Sequence, residues 1–212
     1  MKYKAVIFDL DGVICFTDDY HYQAWKKVAD SLGIIFDEVV NNRLRGVSRM
    51  ESLNIILENH PRKLKEEEKL AIAEDKNAYY KTLLTKMTPV DLSDEVRETL
   101  LQLREQGLKL AIGSSGQNAR YILKRIGLGD FFDSVSDGSN IANSKPDPEV
   151  FIKAAQYIGV SEKDCLVVED AIAGIKAAVN AKMDSAAIGD AAQYDLATYR
   201  MNSFRELLQI CE

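Results

Sequence analysis

Hydrophobic and polar positions divide the chain into three regimes. Tyr3 to Phe8 form a short, nearly uninterrupted apolar run, as expected of a strand buried on both faces, and it stops at Asp9-Leu10-Asp11-Gly12. From about 17 to 87 no strand is evident, and apolar residues recur at helical spacing. Ala24, Trp25, Val28 and Leu32 share one face of a helix that stops at Gly33. Ser48-Arg49-Met50-Glu51 has capping-box spacing and starts a helix through Ser52, Leu53, Ile56 and Leu57, which His60-Pro61 breaks. A longer helix follows over about 65–87. Beyond Pro89, helix and strand alternate. Helices are predicted near 94–106, over about 118–126, from Pro148, and ending near Ala181. Strands are predicted at 108–112, 134–136, 165–168 and 185–188, and Ser203 with Glu206 opens a final helix.

This alternation predicts an α/β fold: a doubly wound, mostly parallel sheet with helices on both faces. The all-helical stretch after the first strand reads as an inserted α-helical cap domain, residues 17–87, with 1–16 and 88–212 forming the core. Composition narrows the picture. Among 212 residues, 27 Lys and Arg face 33 Asp and Glu, a net charge of −6, which opposes a nucleic-acid footprint. No apolar run approaches ~18 residues, so no membrane span is expected, and a strand at the start argues against a signal peptide. Cys15, Cys165 and Cys211 are odd in number, widely spaced and without a CxxC pair, which fits a reducing cytoplasm rather than a zinc site or disulfide framework. A cytoplasmic monomer is expected.

In an open parallel sheet, ligands collect beyond the carboxyl ends of the strands. Three predicted strands end in polar clusters there: Asp9 and Asp11, Ser114 and Ser115, and Glu169 and Asp170, with Lys145 in an intervening loop. Carboxylates gathered in one place repel, and a hard divalent cation such as Mg²⁺ is the simplest remedy. With that charge offset, an Asp stays ionised and can act as a nucleophile. Each residue alone also has a plain structural reading. Asp-Gly after a strand is a turn signal, Glu169-Asp170 could cap the next helix, Lys145 could be a solvated loop residue, and Trp25 could belong to a core. Joint placement at strand ends favours chemistry.

Asp9-Leu10-Asp11-Gly12-Val13 resembles the DxDGV/T signature of the haloacid dehalogenase superfamily, and Ser114, Lys145-Pro146 and Glu169-Asp170 match its later motifs in order. The likeness is closest to the β-phosphoglucomutases of that superfamily. In the region expected to form the cap and around the second motif, Thr17, His21, Trp25, Arg45-Gly46-Val47-Ser48-Arg49, Lys76-Asn77 and Asn118 fall where that family keeps hinge and substrate residues. The resemblance implies an isomerase acting on small sugar phosphates. It would interconvert β-D-glucose 1-phosphate and glucose 6-phosphate through an aspartyl-phosphate enzyme and a bisphosphate intermediate. Asp9 is then the nucleophile and Asp11 the general acid/base. Asp9, the Asp11 main-chain carbonyl, Glu169 and Asp170 surround Mg²⁺. Ser114 and Lys145, with Ser115 beside them, grip the transferring phosphoryl group. Arg49, within the Gly46-Val47-Ser48-Arg49 run, clamps the distal phosphate, and Lys76 and His21 position the sugar and Asp11. Phosphatases of the superfamily share the core motifs, so the cap residues carry the case for a mutase. Two positions depart from the family pattern: Gly116-Gln117 where Ser-Lys is common, and Ala171 where Ser is frequent.

Overall fold

The computed structural model describes residues 2–212. Its centre is a six-stranded, all-parallel sheet. The strands are β1 (Ala5–Phe8), β2 (Lys109–Gly113), β3 (Ser134–Ser136), β4 (Cys165–Glu169), β5 (Asp184–Ala187) and β6 (Tyr199–Arg200), in the order β3-β2-β1-β4-β5-β6. From β1 the sheet grows first toward β3 and then, on the other side, toward β6, so its winding reverses between β1 and β4. That order is the doubly wound arrangement in which ligands sit at the reversal.

Period-two alternation explains both buried faces. Val6, Phe8, Leu110, Ile112, Leu166 and Val168 enter one apolar cluster with residues of α5 (Asp94–Glu105), α6 (Ala119–Arg125) and α9 (Leu207–Cys211). Ala5, Ile7, Ala111, Cys165 and Val167 face the opposite cluster, built with α7 (Glu149–Ile158) and α8 (Ile172–Asn180). The near-continuous apolar runs in the sequence follow from this double burial.

Between β1 and β2 the chain forms α1 (Asp18–Ser31), α2 (Glu38–Asn42), α3 (Arg49–Ile56) and α4 (Glu66–Leu84), the inserted helical cap. Trp25, Val28, Ala29, Phe36, Leu44, Leu53, Ile56 and Ala73 give this insertion its own apolar cluster. At its far end, Tyr80, Leu83 and Leu84 of α4 leave that cluster and pack into the core one. The Ser48 hydroxyl accepts the Glu51 N–H and starts α3 where the sequence places it. Sequence periodicity missed α2 and β6, which are five and two residues long and too short to show a period. The final helix also starts later than expected: Ser203 and Glu206 cap a short 3₁₀ turn that leads into α9.

Candidate active site

Phe8, Gly113 and Glu169 lie at or next to the carboxyl ends of the adjacent strands β1, β2 and β4, so Asp9, Ser114 and Asp170 leave the sheet side by side. The Asp9 N–H still bonds the Val168 carbonyl at 2.9 Å, which extends the β1–β4 ladder to Asp9. Asp9, Glu169 and Asp170 are all buried, and each can offer an oxygen lying within 4.8 Å of the others. The Lys145 ammonium sits 2.5 Å from Asp9 Oδ1 and 2.5 Å from Glu169 Oε1. The second Glu169 oxygen accepts the Ala171 N–H at 2.8 Å. Arg45, from the cap, donates to Asp170 Oδ2 at 2.9 Å and also pairs with Asp18 and Asp190.

Two glycines permit this crowding. Gly12 has φ +91°, and a Cβ there would overlap the Asp170 carboxylate. Gly174, in the first turn of α8, lies so close to Glu169 that any Cβ would collide with its carboxylate. Sequence reasoning did not single out Gly174. At Gly116, by contrast, a Cβ would make only ordinary contact, 3.5 Å from Ser114 Oγ.

Electrostatics mark the site as short of positive charge. Burial raises Asp9 well above the usual carboxylate range; Lys145 opposes this, and Glu169, Asp11 and Asp170 add to it. Burial, then Glu169, push Asp170 up to about 7, against the pull of Arg45. The donor set is all oxygen, buried and under-neutralised, which fits a hard divalent cation. The Asp11 carboxylate stands outside the cluster and accepts the Thr17 hydroxyl. Burial raises Asp11 as well, with Thr17 opposing.

Above these groups lies a cavity of about 310 Å³, walled by the cap on one side and by the strand ends on the other. Asp9, Asp11, His21, Trp25, Gly46, Val47, Ser48, Arg49, Lys76, Ser114, Ser115, Asn118, Glu169 and Asp170 all line it. Thr17 and Lys145 do not. They lie behind the wall, Thr17 against Asp11 and Lys145 against Asp9 and Glu169. Trp25 answers to both of its readings, packed in the cap's apolar cluster and lining the cavity.

Lys76 Nζ lies 3.0 Å from His21 Nδ1 and over the rings of Trp25 and Tyr80, 4.7 and 4.6 Å from their centroids. Burial, then Arg49, pull Lys76 down to about 7, whereas the two ring faces favour its charged form. Burial, then Lys76 and Arg49, hold His21 well below its ordinary value. Several hydrogen bonds cross from cap to core at the cavity rim. Ser115 Oγ donates to the Gly46 carbonyl at 3.2 Å, Asn118 Nδ2 to Asn77 Oδ1 at 2.9 Å, and Arg49 to Gln117 Oε1 at 2.9 Å. Asp18 and Asp190 escaped notice in the sequence, and the sequence marked Arg45 and Gln117 without these partners, which lie on other elements.

Residues 3–182 match the sequence model of the haloacid dehalogenase-like hydrolases. The chain belongs to that family. Within it, the chain is 43% identical to a β-phosphoglucomutase of Bacillus subtilis over 188 residues, 88% of this chain and 83% of that protein. It is 31% identical to a phosphorylated carbohydrates phosphatase of Thermotoga maritima over 192 residues, 85% of this chain and 82% of the relative. The crystal structure of a Clostridium difficile β-phosphoglucomutase superimposes with a TM-score of 0.92 at 39% identity, covering 97% of this chain and 93% of the other. In this haloacid dehalogenase-like chain, as in the sequence, the acids sit at the strand ends and the cap lies over them.

Proposed function

We propose that the protein is a Mg²⁺-dependent β-phosphoglucomutase, in which residues 17–87 form the cap and 1–16 with 88–212 the catalytic core. The observation that carries this reading is one cavity with two unlike ends: buried carboxylates with Lys145 on the core side, and Arg49, Lys76 and His21 on the cap side. A sugar phosphate has the matching polarity, with a reacting group at one end and a second anchoring point at the other.

Asp9 attacks phosphorus, forming an acyl phosphate as the phosphorus–oxygen bond to the sugar breaks. Asp11, raised by burial and oriented by Thr17, gives a proton to the leaving sugar oxygen and removes one from the attacking hydroxyl in the return transfer. Asp9, Glu169 and Asp170, with the Asp11 main-chain carbonyl, would hold Mg²⁺, whose charge offsets the carboxylates and the phosphoryl oxygens. Lys145, together with the Ser114 and Ser115 region, steadies the transferring group. Arg49 receives the distal phosphate with a fork that keeps its charge. Lys76 and His21, beside Trp25, Gly46, Val47, Ser48 and Asn118, shape the pocket around the sugar. Asn118–Asn77 and Ser115–Gly46 hold the cap shut and keep water from the acyl phosphate. A preference of ~10³ for sugar over water needs only about 4 kcal/mol of barrier difference.

The test is incubation with β-glucose 1-phosphate, Mg²⁺ and a trace of the bisphosphate. Glucose 6-phosphate is expected to accumulate with little inorganic phosphate. Release of inorganic phosphate at a comparable rate would make the enzyme a sugar-phosphate phosphatase instead.

A further inference from the structure

Arg49 faces the cavity with no carboxylate bonded to it, and its side chain makes one hydrogen bond among the described residues, to Gln117 Oε1 at 2.9 Å. Gln117 in turn leans on the loop behind it. Its Nε2 donates to the Gly138 carbonyl at 3.4 Å, and the Gly138 N–H bonds the Gly116 carbonyl at 3.0 Å. The fit is tight enough that a Cβ on Gly138 would come within 2.5 Å of the Ser115 carbonyl oxygen and 3.1 Å of Gln117 Cγ. A core loop therefore presents one neutral acceptor, held from behind, to a cation delivered by the cap.

The neutrality matters. A carboxylate at this position would form an ion pair with Arg49 and cancel the charge that an incoming anion needs. An ammonium, common here in the family, has no acceptor for Arg49 and would set a second cation beside it. An amide accepts a hydrogen bond from the guanidinium and adds no charge of its own, leaving Glu74 as the acid that pulls on Arg49.

We propose that Gln117 is the positioning residue for Arg49, fixing the guanidinium over the closed cavity through a neutral bond so that its charge remains free for the phosphate farthest from Asp9. This rests on the reading above, that a sugar phosphate fills the cavity. Gln117 acts through Arg49 and makes no contact with the reacting atoms.

A double-mutant cycle tests it. Gln117 is exposed, so its truncation leaves the fold in place, which circular dichroism and thermal melting verify. Gln117→Ala is expected to raise the KM for β-glucose 1-phosphate about three- to ten-fold with a smaller change in kcat, as loss of one solvent-exposed hydrogen bond predicts. Calorimetric binding of glucose 6-phosphate to the Mg²⁺-loaded enzyme should weaken by the same factor. In an Arg49→Ala background the same substitution should change KM and binding by less than about two-fold. Gln117→Glu keeps the geometry but spends the charge, and should weaken binding by about ten-fold or more. An equal Gln117→Ala effect in both backgrounds, or none in the Arg49-containing enzyme, overturns the inference while the mutase reading stands. Failure of the unmodified enzyme to bind glucose 6-phosphate or to turn over β-glucose 1-phosphate overturns both.

Discussion

Asp9, Ser114 and Glu169–Asp170 leave neighbouring strands, so the parallel register of β2, β1 and β4 fixes their separations before any side chain packs. Arg49, Lys76 and His21 have no such frame. They come from three helices of the cap and meet only because Trp25, Leu53 and Ala73 pack those helices together and a few bonds at the rim seat the cap on the core. The sheet edge is thus built for charge density held rigidly, and the cap for recognition seated through a few bonds at the rim. A phosphoryl-transfer enzyme needs both, because positioning and charge supply most of its catalysis and the sugar must still enter and turn.

The sharpest way to break this contrast is at the rigid side. Asp9→Asn should lower turnover of β-glucose 1-phosphate by about 10⁴-fold or more while secondary structure is kept, since it removes the proposed nucleophile and a buried charge together. Steady-state assay and circular dichroism would check it. Turnover near that of the unmodified enzyme would remove Asp9 from the chemistry.

Lys145→Met probes the same side through stability. It leaves the buried Asp9 and Glu169 without their shared cation, and breaking such a pair costs about 3–5 kcal/mol. Urea denaturation without metal should show that loss, and adding Mg²⁺ should recover part of it. A loss that Mg²⁺ leaves untouched would argue against metal binding among these acids.

On the cap side, Arg49→Ala should lower kcat/KM by roughly 10²-fold, mostly through KM, because a charged donor to a phosphate is lost with the nucleophile intact. An effect confined to kcat would place Arg49 with the reacting atoms rather than the far phosphate.

Lys76→Met gives the smallest and most telling effect. The folded lysine titrates at about 7, below its ordinary 10.5. At pH below that value the folded state carries a buried charge at a cost the unfolded chain does not bear, and this cost fades as pH rises toward 10.5. The substitution should therefore stabilise the protein by about 1–3 kcal/mol at and below neutral pH, less in alkali, while weakening substrate binding. Thermal melts across that range decide it; destabilisation at neutral pH would mean that the Trp25 and Tyr80 faces outweigh burial.

The same contrast explains what the sequence disclosed. A strand buried on both faces is a visible apolar run, and an acid at its end is visible too, so the core fold and Asp9, Asp11, Glu169 and Asp170 could be read directly. Short elements such as α2 and β6 carry no period to detect. Contacts between distant segments were the least legible. Nothing around Arg45 announces that it will reach Asp170, Asp18 and Asp190, or around Gln117 that it will meet Arg49. Likewise Gly174 looks like any helical glycine until Glu169 is placed beside it. The resemblance to a known family located the cap residues, but not whether each faces the cavity or, like Thr17, stands behind it.

The central claim is that Asp9 carries the phosphoryl group between two positions of one sugar. Enzyme mixed with Mg²⁺ and the bisphosphate, quenched in acid within one turnover and mapped by mass spectrometry, tests it directly. A single phosphoryl group on the peptide containing Asp9, lost on addition of glucose 6-phosphate as the bisphosphate re-forms, is the predicted result. Turnover with that peptide unlabelled, or with the label on another residue, would contradict the account.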